Sequence, residues 1–338
     1  MKRTELLLAC ALVGAILSSF LSPRSCASVQ ENPLASSTPR DLADLELSSA
    51  LRLDLQNALN RRDYKSAETI LVAEAEHDPK SPRAARLLVT AAGIFFLDGQ
   101  YLSAAIAWKR AEAIAPLDDR SRFTLAMSYV KLNRPAWARS ELDKLASANP
   151  QDPLYVYWLA RLDYDARNYA SALSRLQKAI ELDPKMIRAY DLLGLCLDYR
   201  GQFEEAVKNY SRAVELNRVQ AKPSPWPNLD LAVTLISQNQ LGEAERNLRE
   251  ALSYEERLPQ AHYQLGRVLE MQGDYPAAVE SLKKATDLAA DYPEPHYLLG
   301  RIYHRLGSEA NAKAEMELYQ QLKKASETPP ASKPSPSP

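Results

Sequence analysis

An all-α fold, a solenoid of stacked antiparallel helix pairs, is what this sequence predicts, and three periodic features predict it. Alanine recurs at 104, 138, 172 and 206, and again at 244, 278 and 312, in steps of 34 residues, with a slip of four between the runs and a slip of three back to Ala67. In a frame starting nineteen residues before each alanine, the fifteenth position holds Gly99, Asn133, Gly201, Asn239, Gly273 and Gly307, with Arg62 and Arg167 as exceptions. The thirty-second position holds Pro79, Pro116, Pro150 and Pro184. The alanines chose the frame, so the other two columns are its test. A fixed period of this length marks a repeat architecture, in which each unit buries its apolar face only against its neighbours.

Taken in chain order, Lys2 and Arg3 precede an apolar run from Leu6 to Leu21, and Ser25 and Ala27 are small residues placed for cleavage. Residues 1–27 therefore read as a secretory signal cleaved after Ala27, giving an exported, periplasmic or secreted chain. The run is short against the ~20 residues that span a bilayer, so membrane attachment would come only through an uncleaved signal. Loss of Lys2, Arg3, Arg24 and Glu5 takes the formal charge from 42 − 43 to 39 − 42, which is −3. Such a chain has no basic excess for nucleic acid. Cys10 and Cys26 leave with the signal, so Cys196 alone cannot form an intrachain disulfide. Residues 28–40 are poor in apolar side chains and are expected to form a disordered linker.

The repeats span 41–326, with units starting near 48, 85, 119, 153, 187, 225, 259 and 293. Apolar residues recur at helical spacing in each half of a unit, as Leu193, Leu197, Val207, Tyr210 and Val214 do in the fifth. Glycine or asparagine at position fifteen suits a left-handed residue just past a helix end. Proline at position thirty-two stops the second helix, and Pro259 and Pro293 open units whose predecessors lack it. Position eight is small in seven units, namely Ala92, Ala126, Ala160, Gly194, Ala232, Gly266 and Gly300. A mid-helix glycine costs ~1 kcal/mol relative to alanine. Backbone-to-backbone approach of the partner helix, with the alanine of position twenty facing, is the reason expected for it.

These columns, with Phe95, Tyr129, Leu197, Leu235, Leu269 and Tyr303 at eleven, Trp108 and Tyr210 at twenty-four and Ala111, Ala179 and Ala213 at twenty-seven, resemble the tetratricopeptide repeat family. The resemblance implies a right-handed superhelical solenoid of about eight repeats. The first unit departs from the pattern at Asp54, Leu55 and Glu74, which leaves its first helix in question, and the fourth carries Asp163 at eleven. Four extra residues in AKPSPWPN, 221–228, read as a longer turn or a soft joint between units. The Pro/Ser tail, 327–338, is expected to be disordered.

Chemistry is hard to find. No phosphate loop, dinucleotide turn, serine elbow or zinc-protease motif occurs, and Cys196 lacks a histidine at useful spacing. His262 and His296 share position four, but helices ~9 Å apart without further ligands do not make a zinc site. An enzyme, a cofactor and a metal are all unexpected. The resemblance implies a concave groove lined by positions two, five, nine, twelve and thirteen. Carried over, units two to four place Val89, Phe96, Leu97, Phe123, Met127, Val130, Tyr157, Arg161 and Tyr164 there, an apolar and aromatic wall. Units six to eight place Trp226, Tyr263, Arg267, Glu270, Tyr297, Arg301, His304 and Arg305 there, an aromatic and cationic wall. Two tyrosine–arginine pairs one helical turn apart suit a protein or peptide partner bearing carboxylates. The lysines and asparagines of the family's chaperone-tail clamp are absent, with Arg52, Gln56, Thr90, Arg120 and Thr124 standing there instead. The expected function is an exported scaffold or adaptor that holds peptide segments or helices of envelope proteins. The alternatives are a recruiting or regulatory subunit of an envelope enzyme such as a glycosyltransferase, or a self-assembling solenoid.

Overall fold

The computed structural model describes residues 42–327, and its regular structure there is helical throughout. The leader, the linker 28–40 and the tail beyond Glu327 lie outside the described residues, and Glu327 itself closes the last helix. The chain divides after Ala148 into two compact units. The first holds a 3-10 turn, Leu42–Leu45, and helices α1 Ser49–Asn60, α2 Tyr64–Glu76, α3 Pro82–Leu97, α4 Tyr101–Glu112, α5 Asp119–Lys131 and α6 Pro135–Ala148. The second holds α7 Pro153–Asp165, α8 Tyr169–Leu182, α9 Ile187–Tyr199, α10 Phe203–Arg218, α11 Trp226–Ser237, α12 Leu241–Tyr254, α13 Pro259–Gln272, α14 Tyr275–Leu288, α15 Pro293–Arg305 and α16 Glu309–Glu327.

Within each unit, helices pair with their chain neighbours and the pairs stack. First helices also touch, α3 with α5 in the first unit and α7, α9, α11, α13 and α15 in sequence in the second, so each unit has one wall made of first helices. The prolines at position thirty-two fall between helices, while Pro259 and Pro293 are the first residues of α13 and α15, where the missing N–H is not needed.

The turn inside each pair has one design. Arg62, Gly99, Asn133, Arg167, Gly201, Asn239, Gly273 and Gly307 all have φ between 53° and 88°. The next residue's N–H then reaches back to the carbonyl of position eleven, as from Gln100 to Phe95 and from Asn168 to Asp163, both at 2.8 Å. This is the hydrogen bond of a Schellman stop. Arg62 and Arg167, exceptions in composition, are therefore not exceptions in conformation. A non-glycine residue there costs about 1–2 kcal/mol, which repeat packing outweighs. Arg167→Gly is expected to raise stability by about 0.5–1 kcal/mol, glycine's unfolded-state entropy cancelling part of the relief. A shift in the urea midpoint measures it.

Packing between the two helices of a pair rests on positions eight, twenty and twenty-four. The alanines of position twenty are buried, and so are Trp108, Leu142, Leu176, Tyr210, Leu248 and Leu282 at twenty-four. A Cβ on Gly194 would lie 2.7 Å from the Tyr210 ring, and one on Gly266 would lie 2.6 Å from Leu282. The carbonyl of Ala278 comes next, at 3.3 Å from the Gly266 position. What needs the room is thus chiefly the large side chain of position twenty-four, not backbone against backbone. The reason is geometric: long helical side chains cover the turn on the N-terminal side of their own Cα.

The unusual segments also have structural answers. The first unit's opening helix forms as α1 despite its departures, with Ser48 capping it by accepting from the N–H of Leu51 at 3.3 Å. Asp163, buried on α7, pairs with Arg175 of α8, which meets the requirement that a buried carboxylate be partnered. The residues inserted before α11 close on Asn217, whose buried amide donates to the Ser224 carbonyl at 2.7 Å and accepts from the Ser224 N–H at 2.8 Å. They form a clasped turn.

Candidate protein-interaction surface

In the first unit, the predicted aromatic wall is partly sunk. Phe96 on α3 is half-buried, with ring centroids 5.4 Å from Tyr101 and 6.3 Å from Trp108. Phe123 on α5 is buried and Met127, one turn on, is half-buried. The exposed aromatic is instead Trp137 at the start of α6, edge-on to Tyr129 at 5.4 Å with Arg134 5.9 Å above it.

The second unit brings more of the predicted residues together. Tyr157 and Tyr164 on α7 are buried, Arg161 lies 5.8 Å over Tyr164, and its Nε donates to Asp165 at 3.1 Å. Tyr164 meets Tyr169 and Tyr199, and those two stack at 5.1 Å. Trp226 opens α11 half-buried.

The two tyrosine–arginine pairs of α13 and α15 differ. Tyr263 is only 8% exposed and lies against Tyr292, whereas Tyr297 is 40% exposed and lies against Tyr319. Burial pushes the Tyr263 hydroxyl pKa up, and the Arg267 guanidinium opposes it. Each arginine sits 5.9 Å over its own tyrosine, a spacing that gives a cation–π contact. Arg267 donates to Gln264 at 2.7 Å, and Arg301 donates through one amino group to Glu270 on α13 at 2.5 Å. Arg305 donates to the Tyr275 hydroxyl at 2.7 Å, and His304 lies 2.9 Å from Glu309. Glu270 thus holds Arg301 in place, and the arginine side chain stays half-exposed.

The fifth repeat supplies what the sequence reading passed over. Counting positions two, five and twelve from 187 yields Arg188, Asp191 and Asp198, and the same columns would have found them. Arg188 lies 5.1 Å over Tyr157. Burial raises the Asp198 carboxyl to about 6, the Asp230 carboxylate of α11 adds to this, and the Thr234 hydroxyl opposes it. An acidic stretch therefore separates the aromatic wall of α7 from the cationic one of α13 and α15.

Nothing nucleophilic accompanies these groups. Burial pushes the Cys196 thiol up to about 12, leaving almost no thiolate at neutral pH. His262 bonds the Glu256 carbonyl at 2.8 Å and His296 bonds Glu315 at 2.7 Å. Among the described residues no His, Cys, Asp and Glu group is placed to hold a metal, and no helix is long and apolar enough to cross a membrane.

Comparison with known proteins agrees with this geometry. A family model described as TPR repeat matches residues 271–307, one described as tetratricopeptide repeat matches 293–326, and one of the anaphase-promoting complex, cyclosome, subunit 3, matches 138–213. The small glutamine-rich tetratricopeptide repeat-containing protein 2 of Mycosarcoma maydis is 32% identical over 74 residues, 22% of this chain and 21% of that protein. The chain thus spans about a fifth of that relative's length. Among solved structures, a tetratricopeptide repeat protein from Parabacteroides merdae ATCC 43184 superposes with a TM-score of 0.60 at 18% identity, over 83% of this chain and 99% of that one. PilW, a widely conserved type IV pilus biogenesis factor, gives 0.56 at 20% identity, over 62% of this chain and 95% of its own. The Cut9-Hcn1 hetero-tetramer of APC/C gives 0.57 at 14%, over 81% and 57%. At such identities the likeness is one of fold. Repeating turns, packed columns and solved neighbours agree on a tetratricopeptide-repeat fold, and the family models place tetratricopeptide repeats at residues 271–307 and 293–326 of the chain.

Proposed function

We propose that this protein is an exported, non-catalytic scaffold that holds an extended, carboxylate-bearing segment of a partner protein during assembly of cell-envelope complexes. The observation that carries the reading is the open pair Tyr297 and Arg301, braced by Glu270 and continued by Arg267. A guanidinium held by one carboxylate keeps donors for a second, and an exposed tyrosine beside it supplies rigid contact area at small entropic cost. Arg301 is 52% exposed at its side chain, so a ligand reaches it without unfolding the wall. Export rests on the charged start, apolar run and small residues of 1–27.

Crosslinking in the exported compartment of the source cell, followed by mass spectrometry, would identify the partner. Against that partner's segment, the Arg267→Glu, Arg301→Glu double variant is expected to bind at least tenfold more weakly, because two attractive charges become repulsive. Unchanged affinity with an unchanged helical spectrum would overturn the cationic site.

A further inference from the structure

We propose that the first unit carries a second peptide site, specific for a leucine–acid–leucine turn, and that the chain's own residues 44–47 occupy it. Asp44, Leu45, Glu46 and Leu47 alternate exposed, buried, exposed, buried, with Leu45 only 4% and Leu47 only 5% exposed. Three arginines read the backbone between those anchors. Arg86 Nε donates to the Asp44 carbonyl at 3.0 Å. Arg83 donates to the carbonyls of Leu45 and Glu46, both at 3.3 Å, and Arg52 donates to that of Leu47 at 3.3 Å. The acid is read as well, since Arg86 Nη2 lies 2.6 Å from Glu46 Oε1.

Leu42–Leu45 form a 3-10 turn and Glu46 is left-handed, so the grip is on a turn, whose four successive carbonyls are held by charged donors while Leu45 and Leu47 are buried. Arg83 is itself braced, with Glu74 of α2 at 2.6 Å. Arg52 and Arg86 occupy positions five and two of their repeats, columns assigned to the groove by the family resemblance. Glu46 has φ of 52°, a left-handed conformation a glutamate keeps only where surrounding contacts impose it. A plain terminal cap needs the two leucines, because the end repeat exposes an apolar face. It does not need carbonyl readers 38 and 42 residues away in sequence. The site is separate from Tyr297 and Arg301, so it stands or falls without them.

The test uses a fluorescent peptide of sequence LADLELS, residues 42–48, and the full chain in three forms: unaltered, Leu45→Asp with Leu47→Asp, and Glu46→Arg. The tethered segment competes at an effective concentration in the range of about 1 mM. The leucine double variant is therefore expected to bind the peptide at least tenfold more tightly than the unaltered protein, and Glu46→Arg at least threefold. Adding Arg86→Glu to either should abolish the gain. Glu46→Arg alters an exposed side chain and leaves the leucine anchors, so it reports even where the double variant misfolds. Equal binding by unaltered protein and Glu46→Arg, or binding that ignores Arg86→Glu, would overturn the site. Light scattering separates the source of the occupant: a monomer supports the segment of the same chain, whereas a dimer that dissociates in Glu46→Arg assigns it to a second copy and overturns the intrachain arrangement.

Discussion

Gly194→Ala is expected to destabilise the second unit by about 2–3 kcal/mol, a large loss for one methyl group. The new Cβ would stand 2.7 Å from two ring carbons of Tyr210 and 2.9 Å from a third. Tyr210 is fully buried, so its ring has nowhere to swing and the two helices α9 and α10 must part instead. Helix propensity alone predicts the opposite sign, a gain of ~1 kcal/mol. Gly93 is the internal control. It too lies inside a helix, α3, but nothing stands within 4 Å of its Cβ position. Gly93→Ala should therefore stabilise by about 0.5–1 kcal/mol, the full propensity effect without a clash. Urea unfolding of both variants checks the pair. Equal shifts in one direction would show that the Tyr210 contact does not govern Gly194.

Asp198→Asn is expected to raise stability at pH 7.5 by about 1–3 kcal/mol and to change little at pH 4. Burial first, then the Asp230 carboxylate, moves the folded-state pKa of Asp198 from an ordinary 3.8 to about 6. The sign follows from linkage. A raised acid pKa means that the native state holds the proton more tightly, so its contribution is complete below the unfolded value and is lost as pH rises through about 6. At neutral pH the ionised carboxylate is a cost, and the amide removes it. Two pKa units correspond to ~3 kcal/mol, an upper bound because the amide also exchanges the contact with Thr234. Thermal midpoints between pH 4 and pH 8 should show the wild-type curve falling faster than that of the variant.

Much of the architecture was determined by the sequence alone, and for local reasons. A left-handed residue, a proline and a helical apolar period each act over a few residues, so the columns at fifteen and thirty-two mark turns wherever they recur. Arg62 and Arg167 show where that reading stops, since the neighbouring helices impose φ near 60° on residues that do not prefer it. The groove columns likewise named Tyr263 and Tyr297 as equivalents, yet only packing against Tyr292 or Tyr319 set one at 8% and the other at 40% exposure. Repeat position also says nothing about what lies across space. Asp198 meets Asp230 from the next first helix, Gly194 meets the Tyr210 ring, and Arg86 meets Glu46 from 40 residues away. Backbone conformation is decided by neighbours in the chain, and so periodicity displays it. Burial, charge pairing and accessibility are decided by neighbours in space, and only the tertiary structure brings those together.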